Sequence, residues 1–106
     1  MAKRLKLTAR ILPNGHPFTI FGRDAWALLK LIKAGGRGCT YIKNPGPRWS
    51  AYVHALRHEC RLTIETINEA HGGQFAGTHA RYVLRSPVEI IAVSDQAKPQ
   101  AIHVAA

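Results

Sequence analysis

Asn44-Pro45-Gly46-Pro47-Arg48-Trp49-Ser50-Ala51-Tyr52-Val53-His54-Ala55-Leu56-Arg57-His58-Glu59-Cys60 is the stretch around which this chain is organised. Pro45 and Pro47 bracket Gly46 and impose a tight turn. Proline also suits the first turn of a helix, where its missing N–H costs nothing. From Arg48 the pattern is helical. Trp49, Val53, Leu56 and Cys60 recur at i, i+4, i+7 and i+11 as one apolar stripe, with Tyr52 on its flank. The other side holds Ser50, Ala51, His54, Ala55, Arg57, His58 and Arg61, with no carboxylate before Glu59. The spacing predicts a helix over 47–60 with one core face and one small, basic face. Such a helix is suited to a nucleic-acid groove, but an ordinary solvated amphipathic helix has the same pattern, so the rest of the chain must decide.

Working back toward the N-terminus, residues 37–43 read as either a short helix capped by Thr40 or a short strand, and connect two helices across one turn. Residues 23–34 form the earlier helix. Ala25, Leu28, Leu29 and Ile32 mark its buried face, Trp26 and Leu31 widen it, and Asp24 and Lys33 sit where the helix dipole favours them. Gly35-Gly36 is its stop signal. Phe18 to Phe21 is short and β-prone and follows a Pro13-to-Pro17 turn cluster; residues 1–17 are a basic arm or lead into a first strand.

Working forward, residues 62–69 are β-branched and predict a strand, with Leu62, Ile64 and Thr66 on one face and Thr63, Glu65 and Ile67 on the other. A glycine-rich tip over 71–77 and a return strand over 78–85 complete a hairpin. Ala80, Tyr82 and Leu84 alternate with His79, Arg81, Val83 and Arg85; Tyr82 and Leu84 are expected to face the core opposite Leu62 and Ile64. Ser86-Pro87 breaks the run, residues 88–93 read as one more strand, and 94–106 as a flexible tail. The folded domain is expected over 18–93, without internal repeats.

At 106 residues and 46% hydrophobic composition, the chain suits one domain with one modest core. No apolar run is long enough to span a bilayer, and the basic start does not read as a signal peptide. Cys39 and Cys60 are too few for a disulfide framework, so a reduced, cytoplasmic protein is expected. Net charge is +9. Residues 1–61 carry twelve Lys/Arg against two Asp/Glu, and residues 62–106 carry three against four. A polyanionic partner, either nucleic acid or an anionic membrane surface, that meets mainly the first half is the natural reading.

Other chemistries find little support. His54 and His58 have metal-ligand spacing, but Ala55 stands where a zincin needs Glu, and no Cys-x-x-Cys pair exists; no metal or other cofactor is expected. Nothing fixes a base or an oxyanion hole for Cys39, so no enzyme is expected. Gly35-Gly36-Arg37-Gly38 lacks the Gly-Lys-Ser/Thr ending of a phosphate loop.

The order helix, short element, turn, basic amphipathic helix, β-hairpin resembles the winged helix-turn-helix family of DNA-binding domains, most closely small winged-helix proteins of bacterial and prophage genomes. The resemblance covers about residues 18–86. It rests on Arg48 to Arg57 leading into Leu62-Thr63-Ile64-Glu65-Thr66, and on the closing stretch Ala80-Arg81-Tyr82-Val83-Leu84. It implies an α+β fold with a three-helix core and a β-hairpin wing, and non-enzymatic binding of double-stranded DNA by a transcriptional or phage-related regulator. By the same resemblance Arg48, Ser50, Ala51 and His54 would face the major groove. Arg57 and Arg61 would lie near phosphates, with Lys43 and Asn44 in the preceding turn and Gly73 and Gln74 at the wing tip completing the contact set. Two features depart from the family pattern: the wing tip has no Arg or Lys, and Glu65 and Glu69 put negative charge on its first strand. The family also includes members that bind only proteins, so a protein-interaction module is the alternative. A homodimer fits the family, although no heptad or long free helix supplies a seam.

Overall fold

The computed structural model describes residues 5–45, 48–71 and 77–95. The elements follow in the order β1 (Leu5–Ile11), β2 (Phe18–Phe21), α1 (Gly22–Ala34), a 3-10 turn (Gly35–Arg37), α2 (Trp49–Glu59), β3 (Ile64–His71), β4 (Gly77–Leu84) and β5 (Val88–Asp95). The fold is α+β.

Two antiparallel sheets frame the helices. In the first, β1 lies between β2 and β5, and Leu7 pairs with Ile20 on one side and Val93 on the other. Leu7 and Ala9 are fully buried beneath α1, while Arg10 reaches Glu89 on β5 with a 2.7 Å ion pair. The second sheet is the β3–β4 hairpin, in which Ile64 pairs with Leu84 and Thr66 with Tyr82. Its base is closed by Arg85 N–H donating to the Thr63 carbonyl and Thr63 N–H donating to Ser86 Oγ.

α1 is covered on several sides, by α2, by the first sheet and by β4. Its fully buried residues are therefore Ala25, Ala27, Leu28 and Leu31. Leu29 and Ile32, expected at the centre of the buried face, are half-buried against the same core. Gly35, at φ +58°, ends the helix as the sequence implies, its N–H returning to the Leu31 carbonyl.

The expected three-helix core is corrected here: the described residues hold two α-helices and one 3-10 turn. Residues 37–43 combine both readings of that segment. Cys39 forms an antiparallel bridge with Tyr82, donating to its carbonyl at 2.8 Å and accepting from its N–H at 2.9 Å. Thr40 then starts one isolated turn, its Oγ1 accepting from Lys43 N–H at 3.2 Å and its carbonyl from Asn44 N–H at 2.9 Å. The glycines explain why no helix forms. Gly38 sits at φ +72°, and a Cβ there would stand 2.6 Å from the Tyr82 carbonyl oxygen. Glycine alone permits both the backbone angle and the close approach.

The hairpin is also more enclosed than simple alternation implies. Leu62 and Ile64 are buried, and Tyr82 and Leu84 pack half-buried against the core. Val83, on the opposite face of β4, is fully buried beside Gly38. Thr66, expected on the core face, is exposed because the core ends at Ile64.

Candidate nucleic-acid interface

α2 buries Trp49, Tyr52, Val53 and Leu56, a stripe at i, i+3, i+4 and i+7. Trp49 anchors it: the ring stacks on Tyr82 at 6.1 Å and contacts Trp26 at 5.3 Å. Its indole N–H donates to the Asn44 carbonyl at 2.6 Å and ties the preceding turn to the helix. The remaining face is turned outward. Ser50, His54 and His58 are exposed, and Ala51 and Ala55 are half-buried, so small residues leave the helix surface low between the polar ones. The His54 and His58 rings lie 4.2 Å apart. His58 belongs to this face although it was not among the expected contacts; its i, i+4 relation to His54 was the signal.

The start of α2 runs against the usual stabilising pattern. Helix N-termini favour Ser, Thr, Asp or Asn caps and acidic first turns. Here the cap is Arg48, without a side-chain capping bond, and the first turn has no acid. Its carbonyl accepts from the Ala51 and Tyr52 N–H groups while its side chain stays exposed. An exposed arginine thus stands at the positive end of the helix dipole, an arrangement suited to an anion.

The end of α2 is also unusual. Arg61 takes the left-handed conformation at φ +60°, and Leu62 N–H folds back to the Leu56 carbonyl at 3.3 Å. Glycine normally holds such a position, and another residue costs about 1–2 kcal/mol there. Arg61→Gly is accordingly expected to raise stability by about 1 kcal/mol while weakening duplex binding. Thermal melting and a duplex titration on the same sample check both signs. Equal affinity would remove Arg61 from the interface.

The other expected residues fall as follows. Lys43 is exposed in the 40–44 turn, beside half-buried Asn44. Gly73 and Gln74, like Gly46 and Pro47 of the expected tight turn, lie outside the described residues. Arg57 is also bonded within the protein. Its Nε donates to the Ile64 carbonyl at 3.1 Å, and its Nη2 donates to that carbonyl and to Thr66 Oγ1. These bonds tie α2 to the first wing strand, and the residue remains exposed. This was not legible in sequence because the partner is a backbone carbonyl on another element.

The acidic residues of the hairpin are neutralised within it. Glu65 pairs with Arg85, and Glu69 pairs with Arg81 at 2.8 Å and His79 at 3.0 Å. These hydrogen bonds hold the Glu69 carboxyl below its usual range. The negative charge that set this hairpin apart from the family pattern is thus offset across the strand pair. The cysteines are both free and buried. Burial raises the Cys39 thiol, with Lys30 opposing; burial, Glu59 and Asp24 push Cys60 up to about 11. Thiols held protonated are poor nucleophiles and ligands.

The geometry agrees with the comparison to protein families: a winged helix domain model matches residues 17–94. The chain belongs to the winged-helix family. Comparison with curated proteins and with solved structures found no match. In this winged helix the β3–β4 hairpin that follows α2 is the wing, and between α1 and α2 lie the 3-10 turn and the single turn at 40–44. A winged helix is consistent with DNA binding. No helix among the described residues is long and apolar enough to cross a membrane.

Proposed function

We propose that this winged-helix domain is a non-enzymatic, cytoplasmic regulator that binds double-stranded DNA, laying α2 into the major groove. The observation that carries this reading is the outward face of α2. It starts at an arginine cap with no acid in the first turn and continues through exposed Ser50, His54 and His58 to Arg61. Arg48 is the base reader, because it stands at the helix entrance with its side chain exposed. Lys43 and Arg61 meet phosphates on either side, and Arg57 positions the wing. Regulation follows from occupancy, by excluding or recruiting other proteins at the site.

Selection of preferred sites from random duplexes tests this. Arg48→Ala is expected to cost about 1–3 kcal/mol and to relax preference at one base position. If the selected motif is unchanged, α2 does not read bases, and the protein-interaction module becomes the leading reading.

A further inference from the structure

A second basic surface shares Lys43 and Asn44 with the interface proposed for α2 and extends from them to the end of α1. The end of α1, the 40–44 turn and the outer face of the wing enclose a cleft of about 610 Å³. Its charged lining is Lys30, Lys33, Arg37, Lys43, Arg81 and Glu69. Both Glu69 oxygens are engaged, Oε1 by His79 and Oε2 by Arg81, and Arg81 Nη1 also donates to the Arg37 carbonyl at 3.0 Å. The only carboxylate in the lining among the described residues is therefore committed to the wing. Lys30, Lys33, Arg37 and Lys43 have no acidic partner among the described residues. The α1 dipole accounts for Lys33 in its last turn, but not for Arg37 and Lys43 on the neighbouring walls.

We propose that this cleft is a binding site for a phosphate-rich anion. Four cations converging on one concavity repel each other, and a concave wall focuses their field, so a multiply charged anion gains from all four at once. Lysine and arginine N–H groups make short charge-assisted bonds to phosphate oxygens. The volume matches small-molecule sites, which run to roughly 300–1,000 Å³. Two sources carry that chemistry: a nucleic-acid strand passing Lys43, or a free oligophosphate.

The full chain, its Lys33→Gln/Arg37→Gln double variant and a Lys6→Gln control are compared in two measurements. Lys6 is exposed on β1 and lies outside the cleft. All three are first shown to melt alike, as expected for exposed side chains. The first measurement is calorimetric titration with tripolyphosphate, and the second is the salt dependence of duplex binding. A free oligophosphate source predicts that the double variant loses tripolyphosphate affinity by about tenfold or more, with the duplex slope matching the control. A nucleic-acid source predicts a slope shallower by about two units. The titration contains no DNA, so it stands even if α2 proves not to read a duplex. A double variant that matches Lys6→Gln in both measurements overturns the proposal.

Discussion

Gly38→Ala is expected to destabilise the fold by about 2–5 kcal/mol, a large share of the roughly 5–15 kcal/mol that holds a domain folded. Two effects add. At φ +72° an alanine is strained by about 1–2 kcal/mol. Its Cβ would also stand 2.6 Å from the Tyr82 carbonyl oxygen and 2.8 Å from Val83 Cγ2, an overpacking worth about 1–3 kcal/mol. Neither neighbour can yield easily, since one is backbone and the other is a fully buried side chain. Relief would pull Cys39 off Tyr82 and release the strand that seats the wing. Gly36→Ala is the comparison: a Cβ there meets nothing within 4 Å, and the expected change is within about 0.5 kcal/mol. Urea melts of the two variants decide the matter. A Gly38→Ala midpoint equal to that of Gly36→Ala would mean that the bridge contributes nothing.

Raising salt from about 50 to about 200 mM is expected to weaken duplex binding by roughly two to three orders of magnitude. The ion pairs show which cations are available. Glu65, Glu69 and Glu89 neutralise Arg85, Arg81 and Arg10 within the protein. Lys43, Arg48 and Arg61 have no such partner among the described residues, and neither do Lys30, Lys33 and Arg37 of the basic cleft. If ~4–6 phosphates are neutralised, the log–log slope is about −4 to −5. A slope near zero would point away from DNA and toward a protein partner.

Local periodicity made both helices and the hairpin legible in sequence. Trp49, Val53 and Leu56 already marked the buried side of α2, and with it the side left for a partner. Gly35 marked the end of α1, because a left-handed stop is a property of one residue and its immediate neighbours. The charge asymmetry needed no structure at all. What only tertiary structure decided depends on groups distant in sequence. No local signal pairs Leu7 with Val93, so the pairing of residues 5–11 with 88–95 was invisible. Val83 looked outward by alternation and is buried because Gly38 lets another backbone approach it. The bond from Arg57 to β3 had no sequence signal, because Ile64 presents its carbonyl there only in the folded chain. Glu69 read as an obstacle to DNA and became a partner of Arg81 because register sets their strands side by side. Sequence thus determined which helix face is free and that its half of the chain is basic. Folding decided which of those cations remain available, since pairing depends on distances that the chain acquires only when its elements pack.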